Sequence, residues 1–322
     1  MTIDTNFNEQ EFLENNLDIL SILLIDRTTK KNIIWATNNY KRKGFFEKNC
    51  ILIDNLIGKF NPIKPRVEKN KIVQAKRSKD MAEVFTPSWI CNKQNNLIDN
   101  EWFGYIGAFN YEDDTTWINS SKVNFINRNW KDYISDIRLE VSCGEAPYLV
   151  SRYDTVTGNK IDLYSRIGLF DRKMRVIKEN AIDKDEWLQE SIIALKSIYG
   201  YEFQGDNLLI ARENIFFSYI DYYYDMFGNL PSITLLKQIA EIISWNVWQM
   251  DGLKLVVPLS CHEEEEIQLE FDLFGDSKPL KREICRGCKE DNIKLHNGIR
   301  CMIMDWEKNK PIKFLNVVKV GV

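Results

Sequence analysis

The chain has 322 residues, 44% of them hydrophobic and 28% charged, with a formal net charge of −4 at pH 7. That length fits one large domain or two ordinary ones. The apolar share supplies a core, and the charge balance excludes a globally basic nucleic-acid binder while leaving room for a local basic face. Seven cysteines, an odd number, do not read as a secreted disulfide framework. No apolar run approaches the roughly 20 residues that cross a bilayer, and Met1–Asn16 is polar and acidic. The expectation is a cytoplasmic protein with reduced thiols and no membrane partner.

From Phe7 to Phe60 a helical pattern alternates with a strand pattern. Leu13, Leu17, Leu20 and Leu24 fall at helical spacing, and Lys31–Thr37 reads as a strand. Lys41–Lys43 is a short basic cluster typical of solvated turns. Asn61–Lys79 carries Pro62 and Pro65, then Arg66, Lys69, Lys71, Lys76, Arg77 and Lys79. It reads as an extended connector with a positive face, either a solvated linker or a phosphate-neutralising surface. In Ala82–Asp99, Thr86-Pro87 opens a helix expected to bury Ile90, Leu97 and Ile98. Trp102–Asp136, rich in aromatic residues, reads as a lid or insert of short elements.

Arg138–Leu149 has an apolar lead-in ending on Glu140 and a tight Ser142-Cys143-Gly144 turn, the pattern of a strand emptying into a ligand-binding loop. Asp154–Asp183 reads as an insertion. Glu186–Ser197 is an amphipathic helix with Leu188, Ile192 and Leu195 on one face. Ile198–Glu202 is a short strand ending in an acid, which in nucleotide-binding α/β folds takes the ribose hydroxyls. The helix after it carries Leu208, Ala211, Ile215, Tyr219 and Tyr222 down one side. Pro231–Ile243 is a further helix leading to Trp245–Leu253, in which Asp251 precedes Gly252.

The tail has an acidic run, Glu263–Glu266, read as a solvated turn. Cys285-x2-Cys288-x7-His296-x4-Cys301 is a Cys3His set compatible with a closed, structural, tetrahedral zinc site, with Cys261-His262 as spare ligands. Buried cysteines beside a surface histidine are the alternative. Arg300–Trp306 and Ile312–Val318 read as a terminal hairpin.

Four of these segments, in order, resemble the DNA adenine-N6 methyltransferases that form the methylation (M) subunits of restriction-modification systems. Leu139, Glu140, Ser142, Cys143, Gly144, Tyr148 and Leu149 match the loop that binds S-adenosyl-L-methionine (AdoMet). Val141 replaces the family's proline and Ala146 its second glycine. Phe85, Thr86 and Pro87 match the upstream segment that folds over the methionine end of the cofactor. Glu202, Ala211, Arg212 and Asn214 match the second-strand pattern, and Asp251 stands where the third-strand acid faces the adenine amino group. The resemblance implies an α/β fold. A Rossmann-type AdoMet-dependent methyltransferase sheet would cover residues 80–258, after an N-terminal α/β extension and basic connector (1–79) and before a small zinc-knuckle-like module (259–322). It further implies AdoMet held by Phe85, Thr86, Pro87, Glu140, Ser142, Cys143, Gly144, Glu202 and Asp251, DNA as substrate, and a second subunit as partner. The (Asp/Asn/Ser)-Pro-Pro-aromatic tetrapeptide that grips the target amino group is absent from the sequence, which leaves the catalytic residues unassigned. Three readings therefore stand: a methylation subunit completed by a partner, a catalytically silent AdoMet- and DNA-binding subunit of a defence complex, and a methyltransferase acting on RNA or protein.

Overall fold

A computed structural model of the protein describes residues 8–58, 61–81, 83–266 and 281–318. Two helices come first, α1 (Glu9–Asn15) and α2 (Leu17–Leu24), divided where Asn16 leaves helical geometry at φ −128°. The expected strand over Lys31–Thr37 is shorter. β1 (Ile25–Asp26) pairs with β2 (Lys31–Asn32), and Ile34 adds one bridge to Cys50. Lys41–Lys43 forms an exposed 3-10 turn, as expected of a solvated cluster.

The connector is not simply extended. After an irregular proline-bearing start it forms α3 (Lys71–Met81). Lys71, Lys76 and Lys79 face solvent, whereas Arg77 is buried. Then comes α4 (Ser88–Phe103), whose buried face differs from the expected one: Leu97 and Ile98 are exposed, while Asn92, Asn95, Asn96 and Asp99 are buried. Arg172 makes this possible. Its guanidinium donates to Asp99 Oδ2 at 2.5 Å and to the side-chain oxygens of Asn92 and Asn96 at 2.8 Å each. Buried polar groups supplied with partners in this way avoid the desolvation penalty of unpaired ones.

The aromatic stretch is no separate lid. It contains a hairpin of β3 (Asn110–Asp113) and β4 (Thr116–Asn119), then α5 (Trp130–Ser135). Phe103, Phe109 and Tyr133 join the main core.

At the centre lies a parallel sheet of β5 (Arg138–Glu140), β6 (Ile198–Glu202) and β7 (Val247–Gln249), in that spatial order. α6 (Leu169–Asn180) and α7 (Lys184–Lys196) cross from β5 to β6. α8 (Gly205–Phe227) and α9 (Ile233–Asn246) cross from β6 to β7. Much of the expected insertion over Asp154–Asp183 is thus α6, a core helix burying Phe170, Met174, Val176 and Ile177. α8 buries the predicted stripe of Leu208, Ala211, Ile215, Tyr219 and Tyr222. The α/β class holds. Among the described residues the parallel sheet has these three short strands, each pairing over three residues with its neighbour.

The two faces of the sheet are covered differently. Ile198 and Val247 face the helices and share one core with Ile19, Leu20 and Leu23 of α2. Tyr199, Tyr201 and Trp248 face the tail, in a second cluster with Cys301, Ile303 and Phe314. The tail comprises β8 (Glu264–Glu266) paired with β9 (Lys281–Glu283), then α10 (Arg286–Glu290) and a hairpin of β10 (Met302–Asp305) and β11 (Lys310–Lys313), whose second strand starts before the expected Ile312–Val318 and gives way to a 3-10 turn at Phe314–Asn316. The acidic run read as a turn therefore includes a short strand. No helix among the described residues is long and apolar enough to cross a membrane.

Candidate functional site

The carboxyl ends of β5 and β6 bring several of the sequence-predicted residues together. Ser142 and Gly144 both take left-handed backbone, at φ 52° and 55°, so the chain turns sharply after β5. The turn is tied to the neighbouring strand by Cys143 N–H, which donates to Tyr201 O at 2.8 Å. Cys143 packs against Gly200, where an added Cβ would lie 3.3 Å from its sulfur. A glycine in mid-strand is what permits this approach.

Glu202, at the end of β6, accepts the Gly144 N–H at 2.9 Å and the Gln204 N–H at 3.0 Å. Glu140 accepts from Tyr148 N–H at 3.4 Å and Leu149 N–H at 3.1 Å, closing the loop on itself. Both acids are buried. Burial pushes the Glu140 carboxyl up to about 8. The two amide bonds oppose this rise, and the neighbouring Glu202 charge adds to it. Burial also raises Glu202, partly offset by its own amide bonds.

The Phe85-Thr86-Pro87 segment borders this loop. The Phe85 ring lies 3.9 Å from the position a Cβ on Gly144 would take. Thr86 O accepts from Thr155 Oγ1 at 3.0 Å, and Pro87 caps α4. Asp251 is placed otherwise. Its Oδ1 accepts the N–H groups of Leu253 and Lys254 at 3.1 and 3.2 Å, so it closes its own turn.

A buried polar cluster beside Glu202 was not legible in the sequence. Arg77 bridges Asp206 at 2.8 Å and Glu83 at 2.6 Å, and also donates to Gln204 and Asn207. Tyr40 OH donates to Asp206 at 2.7 Å. Lys69 Nζ lies 3.8 Å from Asp206, and among the described residues Lys69 Nζ, Asp206 Oδ1 and Glu83 Oε1 have no hydrogen-bond partner. Arg66 stacks on Phe85 with 4.8 Å to the ring centroid, and its N–H donates to Glu145 at 2.6 Å. The connector read as a solvated positive face therefore turns Arg66, Lys69 and Arg77 inward. A separate cavity of about 310 Å³, lined by Leu13, Leu209, Glu213 and Phe217 among others, contains none of the predicted site residues.

In the tail, Cys285, Cys288 and His296 come together as the spacing suggested, but the fourth group is Cys261. The four ligand atoms lie within 4.8 Å of one another. Cys301 is elsewhere. Its thiol points to Gln249 O at 3.5 Å in the core between sheet and tail. Burial opposes ionisation of Cys285, but N–H groups from Asn297, Cys288 and Gly287 and the His296 ring outweigh it and bring the thiol down to about 6. Burial and the adjacent Cys285 and Cys288 push Cys261 up to about 11.

No protein-family model, curated protein or solved structure was found to match this chain.

Proposed function

We propose that the loops at the carboxyl ends of β5 and β6 bind AdoMet, and that the protein is a methylation-type subunit acting on DNA adenine with a second polypeptide. The observation that carries this is the junction of Glu202 with Gly144. A buried carboxylate ends one parallel strand and meets the backbone amide of a glycine turn ending the next. In open α/β sheets ligands sit beyond the carboxyl ends of the strands, with an acid on the ribose and a glycine allowing close approach. The residues fit a nucleoside at this end. A carboxylate offers about four acceptor positions. The Gly144 and Gln204 amides take one position on each Glu202 oxygen, and the Phe203 amide also favours the charged form, which leaves one position for a ribose hydroxyl. The fit does not extend to Asp251, whose carboxylate is committed to its turn.

When bound, AdoMet supplies an electrophilic methyl group. The chain's own part is to hold the ribose through Glu202, to admit the cofactor against the Gly144 backbone, and to border it with Phe85. Gripping a flipped adenine is left to a partner, because the sequence has no Asn-Pro-Pro-Tyr-type tetrapeptide. The outer side of β5 supports that division. Among the described residues β5 pairs only with β6, and Leu139 within it and Ile137 and Val141 flanking it are exposed. The committed Asp251 favours a second reading, a catalytically silent subunit that senses AdoMet or DNA.

Calorimetry with AdoMet tests the first step. Glu202→Gln should weaken binding by ~1–3 kcal/mol, the worth of a hydrogen bond to a charged group, or roughly 5- to 150-fold in Kd. Absence of binding by the wild type at millimolar AdoMet excludes the proposal. Transfer of labelled methyl to DNA, with and without co-expressed genomic neighbours, separates the active from the silent reading.

A further inference from the structure

We propose that Cys261, Cys285, Cys288 and His296 bind one zinc ion, and that this zinc clamps the loop leaving β7 to the tail. Three sulfurs surround one ring nitrogen. His296 Nδ1 lies 3.8 Å from Cys261 Sγ, 3.8 Å from Cys285 Sγ and 3.6 Å from Cys288 Sγ. A tetrahedral zinc with Zn–S about 2.3 Å and Zn–N about 2.05 Å has S···N edges of about 3.55 Å. The observed spacings approach those edges, so small shifts would close the site. Soft thiolates with one imidazole select zinc over hard cations. Four protein ligands leave no open position, which makes the metal structural.

The surroundings are built for this cluster. Asn297 N–H donates to Cys285 Sγ at 3.3 Å, the outer hydrogen bond that orients a thiolate ligand. An added Cβ on Gly287 would lie 2.4 Å from His296 N, and one on Gly298 would lie 3.1 Å from Cys261 Sγ. Glycine at both points lets the two ligand-bearing segments approach. Arg300 donates to the carbonyls of His296 and Lys294 on one side and of Lys254 on the other, so its guanidinium already spans the two segments.

Cys261 makes this more than a knuckle confined to the tail. It ends the segment that leaves β7, in which Asp251 bridges Val256 and Val256 bridges Arg300. Val257 N–H donates to Ile299 O at 2.8 Å, and Ile299 N–H donates to Ser260 Oγ at 3.0 Å. His262 and Asn297 exchange two further bonds, at 3.2 and 2.9 Å. A metal at Cys261 therefore holds the Asp251–Val257 turn and the Cys285–Arg300 segment in one unit. Without it, three crowded thiols face one imidazole at that junction, and the coupling of metal binding to local folding is lost.

The test is metal analysis of the full chain purified without chelator, followed by hydrogen exchange. The wild type should carry one zinc per chain. Cys261→Ser should lose it, Cys261→His should keep it, and Cys301→Ala should keep it. Cobalt substitution should give a tetrahedral thiolate spectrum in the wild type, with weaker charge transfer in Cys261→His as one sulfur is removed. Stripping the metal should speed amide exchange at Asp251–Val257 at least tenfold. Full zinc in Cys261→Ser, or loss of zinc from folded Cys301→Ala, overturns the ligand set. Unchanged exchange at Asp251–Val257 after metal removal overturns the clamp. None of these readouts depends on AdoMet.

Discussion

Replacing Arg77 by Met should cost more stability than any comparable surface change. The guanidinium is 2% exposed and contacts Asp206 and Glu83, themselves 0% and 4% exposed at the side chain. Removing one partner of a buried ion pair typically costs about 3–5 kcal/mol, because the other charge is left uncompensated. Here some compensation survives. Tyr40 and Lys69 remain near Asp206, and Asn207 Nδ2 remains 3.2 Å from Glu83 Oε2. The lower end, about 3 kcal/mol, is therefore expected from urea unfolding at pH 7 with little change in slope. The pH dependence follows in sign. Burial raises Asp206, but Arg77 and Lys69 outweigh it and hold the carboxyl below its ordinary value. The wild type therefore gains stability from Asp206 above the ordinary carboxylate range and loses it as pH falls through the lowered value. In Arg77→Met the stranded carboxylates can relieve themselves by taking protons, so the deficit should shrink towards pH 4. Neutralising the whole cluster, Lys69→Met and Arg77→Met with Glu83→Gln and Asp206→Asn, should recover most of the loss. A deficit under about 1 kcal/mol, or one independent of pH, would refute the reasoning. The change should also loosen the Phe85-Thr86-Pro87 segment, since Ser78 Oγ and Arg77 together hold Glu83 just before it.

Glu140 should give stability a downward slope with rising pH. Its folded pKa is about 8 against an ordinary value of 4.5, so between these limits the folded state binds the extra proton and stability falls as pH rises. Glu140→Gln should flatten thermal stability over pH 5–8, and an unchanged slope would place the titration elsewhere. Ending the chain after Pro258 should uncover Tyr199, Tyr201 and Trp248 on the sheet. The truncated protein is expected to aggregate or bind hydrophobic dye, whereas a soluble, cooperative two-state product would show that the tail is dispensable.

The parts legible in the sequence were those where apolar spacing and burial agree. α8 and the tail hairpin follow the pattern of their apolar residues, and the acid-ended strand is β6. The misread parts are those where polar groups are buried with partners. Asn92, Asn95, Asn96 and Asp99 share a helical stripe, and such a stripe reads as a solvated face until distant groups supply partners: Arg172 for Asn92, Asn96 and Asp99, and the Tyr148 and Ile167 carbonyls for the Asn95 amide. Arg77 and Lys69 read as a positive surface for the same reason, because Asp206 lies well downstream. One signal was available in advance: Arg172 stands three residues after Leu169 and four before Val176, on the buried face of an amphipathic helix, where an unpaired cation is not tolerated.

The cysteine–histidine cluster shows the same limit in another form. Spacing alone favours the nearest cysteine after His296, which is Cys301. The first strand of the tail hairpin begins right after that residue, at Met302, and Phe314 N–H bonds to Cys301 O at 2.9 Å. That pairing carries the Cys301 side chain to the sheet face with Trp248 and Phe314. The opposite side of the same junction is filled by the segment returning from β7, which brings Cys261 to His296. The tail hairpin thus takes the place of a helix layer over Tyr199, Tyr201 and Trp248. A sheet whose strands pair over only three residues each has little backbone pairing to hold it. Its order must come from what covers it: apolar helices on one face, and on the other a hairpin fastened beside the exit of β7.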